Sequence, residues 1–240
     1  MSNYRRKQDE ADNDKIRTMK TANALYIVAT PIGNPDDITL RALKTLESVD
    51  ALICEEFRNG SRLLKKLGIE KEIIPLNEHN EAGQIEAILI RLAQGQNLAL
   101  VSDCGTPLFS DPGTELVAMV SSAGFSVVPV PGASSLMAAI SVTPIPLKKF
   151  IFGGFLSRVP AERNAELKKL KMHHLPVILM DTPYRLVSLL TDVSKVFGKG
   201  HTVTLACNLT QPNELILTAS CDEIIRKNGG LKAEFILIIH

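Results

Sequence analysis

From Leu25 onward, short apolar runs alternate with stripes of apolar residues at helical spacing. LYIVA (25–29) is rich in β-favouring residues and ends in the turn-forming TPIGN. Leu40, Leu43 and Leu46 then recur at the spacing of one helix face, behind the capping candidates Asp37 and Thr39. ALICEE, from Ala51, predicts a second strand, followed by a short helix from Ser61 as N-cap to Gly68, a suitable left-handed C-terminal cap. From Glu81, the positions of Ile85, Ile88, Leu89 and Leu92 predict an amphipathic helix closed by Gly95, and NLALVSD resumes the extended pattern. In the loop and helix that follow, Asp111 is the N-cap candidate, Pro112 the first helical position, and Gly124 lies just past the end. FSVVPV is the next strand and runs into PGASS.

Strands alternating with helices over 25–143 call for a largely parallel sheet covered by helices on both faces. The stretch 142–149, VTPIPLKK, carries two prolines and breaks both periodicities, so residues 144–149 are read as a linker. Beyond it the pattern gives strand FIFGGFL, a basic helix over about 160–172, strand PVILMD and a helix over 184–197. Strands TVTLACN and ELILTAS, a helix from Asp222 and a closing strand EFILIIH complete it. The short polar link QPN permits a hairpin, so the second sheet should be mixed. The predicted organisation is therefore a disordered polar tail (1–22), an N-terminal α/β domain (23–143), the linker and a C-terminal α/β domain (150–240).

Composition narrows the function classes. Hydrophobic residues make up 45% of the chain, enough for buried cores. A formal net charge of +1 gives no global attraction to nucleic acid or an anionic membrane. RNA would have to be met locally, by Arg41, Lys44, Arg58, Arg62, Lys65 and Lys66, or by Arg158, Arg163, Lys168, Lys169 and Lys171. The default for either run is a solvated helix face. Cys54, Cys104, Cys207 and Cys221 show no metal or disulfide spacing, and Cys104 and Cys207 read as small packing residues. The N-terminus has no apolar signal core, and no stretch reaches the roughly 18 apolar residues of a membrane span. A soluble cytoplasmic protein is expected.

Three strand ends carry small turns: TPIGN, SDCGTP (102–107) and PGASS (131–135). Ligands of open parallel sheets bind at strand carboxyl ends, where small residues let them approach the backbone. Neither a G-x-x-x-x-G-K-[ST] cradle nor a G-x-G-x-x-G turn is present, and the turns lack a cation for phosphates. They offer backbone groups, the hydroxyls of Ser102, Thr106, Ser134 and Ser135, and the carboxylate of Asp103. That suits a nucleoside-like ligand without phosphates, such as S-adenosylmethionine.

At these same places the chain resembles the ribosomal RNA small-subunit methyltransferase I family of the tetrapyrrole methylase superfamily. The resemblance rests on LYIVATPIGNPDDITLRAL, EHNE, LALVSDCGTPLFSDPG and VVPVPGASSLMAAIS, and extends through FGGFL, TPYR, NLT and AEFILII. It implies an enzyme of two α/β domains with a cofactor cleft between them, usually a homodimer. Such an enzyme uses S-adenosylmethionine to methylate the ribose 2′-hydroxyl of a cytidine in small ribosomal subunit rRNA. Carried over by motif, the cofactor would touch Pro31, Ile32, Gly33, Ser102, Asp103, Gly105, Thr106, Pro107, Pro131, Gly132 and Ser134. The second domain would add Met180, Tyr184, Ala206, Asn208 and Leu209.

Three segments depart from the family pattern. E-D-T-R becomes Glu55-Glu56-Phe57-Arg58, E-S-P-H-R becomes Asp181-Thr182-Pro183-Tyr184-Arg185, and R-E-L-T-K becomes Cys207-Asn208-Leu209-Thr210-Gln211. A ribose hydroxyl is a poor nucleophile that a nearby base would assist, and the candidates are Asp103, Glu55, Glu56 and His79. His79 reads equally as a capping or surface residue, and Glu55 or Glu56 as a partner of Arg58. A small-molecule methylase, or a paralogue that binds cofactor or ribosome without catalysis, are the competing readings.

Overall fold

The computed structural model describes residues 23–109 and 111–240; the expected tail 1–22 lies outside them. The chain divides into two units. One runs to Pro31 and resumes over Asp37–Gly132; the other comprises Ile32–Asp36 and Ala133–His240.

In the first unit, β1 (Ala24–Val28), α1 (Leu40–Ser48), β2 (Ala51–Cys54), α2 (Phe57–Leu67) and β3 (Glu72–Pro75) are followed by α3 (Glu81–Ala93), β4 (Leu98–Val101), α4 (Thr114–Ser122) and β5 (Ser126–Val130). The strands form an all-parallel sheet in the order β3-β2-β4-β1-β5. Alternate side chains feed two cores. Leu52, Cys54, Ala99 and Val101 meet α1 and α2 through Ala42, Leu46 and Leu64, whereas Ala51, Ile53, Leu98 and Leu100 meet α3 and α4 through Ile85, Ile88, Leu92, Leu116 and Val120. Strands buried on both faces read as unbroken apolar runs, as ALIC and LALV do. Pro129 lies in the edge strand β5, where its missing N–H costs no ladder bond on the open side.

Local chemistry explains most boundaries. Thr39 caps α1, its Oγ1 accepting from Ala42 N at 3.0 Å, and Gly68 closes α2 at φ 68°. Two helix starts in this unit differ from expectation. α2 begins at Phe57, because the Glu56 carbonyl accepts from Asn59 and Gly60 N–H and the turn R-N-G is already helical. α4 begins at Thr114, with Gly113 rather than Asp111 in the cap position. Gly113 is held at φ 116°, and Glu81 Oε1 replaces a local cap by accepting from Gly113 N at 3.1 Å. Strand β3 was not expected at all; its apolar pair Ile73 and Ile74 is too short for a periodicity.

In the second unit, α5 (Ser135–Val142), β6 (Ile151–Gly154), α6 (Pro160–Lys171), β7 (Val177–Asp181) and α7 (Leu186–Phe197) precede β8 (Thr202–Cys207), β9 (Leu215–Ser220), α8 (Cys221–Asn228) and β10 (Phe235–Ile239). The sheet order is β6-β7-β10-β8-β9; β6 pairs parallel with β7, and all other pairings are antiparallel, including the expected β8–β9 hairpin. Helices α6, α7 and α8 cover one face through Leu167, Leu189, Leu190 and Ile224. The other face is covered by Ile32 and α5, whose Ala139 packs with Ile178, Ile236 and Ile238. That packing places residues 133–143, expected from sequence in the first domain, and the candidate linker 144–149 in the second unit.

Among the described helices none is long and apolar enough to cross a membrane, and no group of three or more His, Cys, Asp or Glu side chains is arranged to hold a metal. Cys207 is buried among packing residues as expected, but Cys104 is exposed in its turn. Burial raises the thiols of Cys54, Cys207 and Cys221 to about 11, so they are inert as nucleophiles at neutral pH.

Candidate functional site

In the first unit, the connections after β1 and β2 pass to α1 and α2 on one face, and those after β3 and β4 to α3 and α4 on the other. Strand β4 lies between β2 and β1, so both of its neighbours send the chain to the opposite face. This is the topological switch at which open α/β sheets bind ligands, beyond the strand carboxyl ends. The turn 102–107 leaves the sheet there. Thr30, buried at the end of β1, ties the two adjacent turns together: its N–H donates to Gly105 O at 2.9 Å and its Oγ1 to Ser102 O at 3.1 Å. Gly132, after β5, lies so close to β1 that a Cβ would stand 3.0 Å from Ala29 Cβ.

The predicted residues of this unit fall into two sets. Pro31, Ser102, Asp103, Gly105, Thr106, Pro107, Pro131 and Gly132 all lie in the turns after three adjacent strands, with Gly105 at φ 83°. The Ser102 hydroxyl is engaged within its own turn, accepting from Cys104 N and donating to Cys104 O, each at 3.1 Å. Of the base candidates, Glu55 and Asp103 are brought together from neighbouring strands. Burial first, then the charges of Asp103, Asp111, Glu56 and Glu78, push the Glu55 carboxyl above the ordinary carboxylate value. Asp103 is exposed, and its Oδ2 accepts from Asn59 Nδ2 at 2.6 Å. Glu56 is exposed at the start of α2. His79 is exposed in a turn where its N–H donates to Asn77 Oδ1, and no side-chain contact links it to the carboxylates among the described residues.

The second unit groups its candidates around Ile32. Ile32, Ala206 and Leu209 are buried in one cluster, against which Met180 packs; Met180 and Ala206 flank Ile236 in register across β7, β10 and β8. Gly33 lies on the loop after β8: a Cβ there would reach 2.6 Å from Leu209 O and 2.8 Å from Thr210 Oγ1. Asn34 N donates to Thr210 Oγ1 at 2.9 Å, and Asn208 and Thr210 hold left-handed φ of 48° and 65° to present the loop. Ser134 lies at the N-cap of α5 and Tyr184 is 82% exposed, so neither joins that cluster. In the altered segment 181–185, Arg185 serves the fold, donating to Leu156 O and Ser157 O and pairing with Asp181 at 3.4 Å. Burial holds Asp181 above the ordinary carboxylate range.

Sequence reasoning missed Thr30, Asn59 and Glu81 as residues that build this region. Asn59 meets Asp103 across 44 positions of sequence, a pairing that no local pattern announces. Glu81 lay within the quoted EHNE segment, and its position directly before an apolar helix stripe was the available signal.

Fold and strand-end turns together define a two-unit α/β protein whose first sheet has its topological switch at the turn 102–107. Residues 24–225 match the family Tetrapyrrole (Corrin/Porphyrin) Methylases, and the chain belongs to that family. It is 39% identical, over 92% of its length and 82% of the relative's, to the ribosomal RNA small subunit methyltransferase I of Xylella fastidiosa. Identity to the protein of the same name from Synechocystis is also 39%, over 90% of this chain and 78% of that one. Among solved structures, a cobalt precorrin-4 methyltransferase of cobalamin biosynthesis superposes with a TM-score of 0.69 over 91% of this chain and 95% of that one, at 20% identity. That likeness establishes the fold.

Proposed function

We propose that the chain transfers a methyl group from S-adenosylmethionine to the 2′-hydroxyl of a cytidine ribose in small-subunit ribosomal RNA. The observation that carries this reading is the similarity along 92% of the chain to a relative named for ribosomal RNA small subunit methylation. S-adenosylmethionine supplies an electrophilic methyl group on a sulfonium. The donor set of the first unit fits it: backbone groups of Pro31, Ser102, Gly105, Thr106, Pro107, Pro131 and Gly132, no Lys or Arg in the turns, and the negative field of Asp103 and Glu55. Such a field attracts a cation and disfavours a phosphate.

With the cofactor bound, the 2′-oxygen would take the methyl group as the carbon–sulfur bonding pair leaves with sulfur. The protein's task is alignment, exclusion of water and acceptance of the hydroxyl proton. Glu55 is the residue we assign to that proton, because its raised affinity for one brings it closer to the working pH than a solvated carboxylate. Asn59 donates to Asp103 Oδ2 and thereby fixes the position of the carboxylate that raises Glu55. The same reading has a cytoplasmic homodimer as the working species, which light scattering checks.

The test is transfer of labelled methyl to small subunits from cells lacking the modification, beside an authentic relative. A 2′-O-methyl group removes the nucleophile of alkaline RNA cleavage, so the label should emerge in an alkali-resistant dinucleotide that begins with cytidine. If the relative labels the subunits and this protein does not, the proposal fails.

A further inference from the structure

Helix α2 leaves the strand-end site and carries Arg58, Arg62, Lys65 and Lys66 without a single acidic residue. All four cations are exposed, and none has an ion-pair partner among the described residues. Arg58, Arg62 and Lys66 follow one another at i, i+4 and i+8, a spacing at which like charges repel and weaken a helix unless an anion lies across them. The adjacent row, Phe57, Ser61 and Lys65, lines a groove of about 700 Å³ that is completed by residues 68–73 leading into and along the edge strand β3; of the two carboxylates on that far wall, Glu72 is paired with Arg91 and Glu70 is exposed. Phe57 is 57% exposed at the first helical position, two residues after Glu55. Asn59, in the same turn, is bonded to Asp103 at 2.6 Å, which fixes this end of the helix to the site.

The other basic run behaves differently. On α6, Arg163 is buried against Asp192, and Lys171 donates to Val196 O, so two of its cations are spent within the fold. Of these two runs among the described residues, α2 is the one that keeps a full row of cations without ion pairs, beside the exposed ring of Phe57.

We infer that α2 is the docking surface for a single-stranded segment of the RNA substrate, with phosphates along Arg58, Arg62 and Lys66 and an unpaired base stacked on Phe57. The inference rests on the RNA reading above. Guanidinium and ammonium groups in a row select a polyanion, and an exposed aromatic ring beside them selects an unpaired base over a duplex.

Fluorescence anisotropy of the full chain with a short labelled single-stranded oligocytidylate, titrated across salt, tests it. The double variant Arg62→Glu, Lys66→Glu should weaken binding at least tenfold and flatten the plot of log affinity against log salt by about 0.7 for each lost phosphate contact. Phe57→Ala should weaken binding about tenfold with an unchanged salt slope, and Phe57→Tyr should restore it. Lys168→Glu with Lys169→Glu on α6 should change neither. Binding of labelled S-adenosylmethionine by every variant monitors folding. Equal binding by wild type and α2 variants, or no binding by the wild type, overturns the inference. So does loss of association with small subunits while oligonucleotide binding stays intact, the result expected of a protein partner. The methylation assay on intact subunits is separate: transfer by α2 variants at the wild-type rate would remove this surface and leave the proposed function standing.

Discussion

Asp192, on α7 of the second unit, and Glu55, at the end of β2 in the first, are both carboxylates drawn back from water, and the fold treats them in opposite ways. Burial would raise the Asp192 proton affinity, but hydrogen bonds from Arg163, Asn164 and Lys195 outweigh it and leave Asp192 below the ordinary carboxylate range. Arg163 Nε and Nη2 both donate to Asp192 Oδ2, at 2.9 and 2.6 Å, and the two side chains are 5% and 6% exposed. Around Glu55 the fold gathers more carboxylates and pairs it with no cation among the described residues, so its proton affinity rises. A neutralised buried charge holds helices together; an uncompensated one is a cost to folding that a reaction can use.

The largest effect should come from breaking the first of these. Arg163→Met leaves Asp192 buried without its guanidinium, supported by Asn164 and by Lys195 at 3.2 Å, and should cost about 3–5 kcal/mol of unfolding free energy in urea denaturation. Because the folded Asp192 is held below its unfolded value, the wild-type contribution is present at neutral pH and is lost as pH falls through the depressed folded value. The variant should lack that acid limb.

Glu55→Gln should have the opposite sign on stability. A carboxylate whose folded proton affinity is raised stabilises the fold below its unfolded value and loses that contribution as pH rises through the folded one; removing the charge should therefore raise the thermal midpoint at neutral pH. Methyl transfer should fall about 100-fold or more, the range of a lost general base. In the wild type, activity should climb with pH through a step above the ordinary carboxylate range, and that step should be absent from the residual activity of the variant. A midpoint that falls, or a pH step that survives, would return Glu55 to the structural residues.

A smaller contrast separates the two close glycine contacts. At Gly33 an added Cβ meets backbone, Leu209 O at 2.6 Å, which cannot swing aside; Gly33→Ala should cost about 1–3 kcal/mol. At Gly132 the first obstacle is Ala29 Cβ at 3.0 Å, so Gly132→Ala should cost less, as measured by urea midpoints.

The same contrast between local and distant causes decides what was legible in the sequence. The central strands and apolar runs such as VILM and FILII announce themselves because burial on both faces favours apolar residues. Thr39, Gly68 and Gly95 mark helix ends by chemistry confined to one turn. β3 stayed hidden because an edge strand of four residues presents too little pattern. The start of α4 stayed hidden because its cap comes from Glu81, 32 positions upstream of Gly113. Turns at the candidate site were readable as Gly- and Pro-rich strand ends, but the meeting of Glu55 with Asp103 and of Asn59 with Asp103 is a product of strand order, with β4 inserted beside β2. For the same reason the place of residues 133–143 in the second unit was not legible: it comes from packing of Ala139 on a sheet whose strands come much later.

Two N-caps give the finest contrast. Thr39 Oγ1 accepts from Ala42 N at 3.0 Å, a full capping bond, whereas Ser134 Oγ stands 3.5 Å from Met137 N at the start of α5, the limit of a hydrogen bond. Thr39→Ala should therefore cost about 1 kcal/mol, and Ser134→Ala less than half as much. The family resemblance implies Ser134 at the cofactor, and a hydroxyl held by so long a capping bond can be drawn to that use at little cost. A ligand that binds only the native state raises the unfolding midpoint in proportion to its affinity. Ser134→Ala should then leave the midpoint of the free protein nearly unmoved while shrinking the increment produced by S-adenosylmethionine, and Thr39→Ala should lower the midpoint and keep the increment. If both variants lose stability equally and keep the full increment, Ser134 is a cap and nothing more.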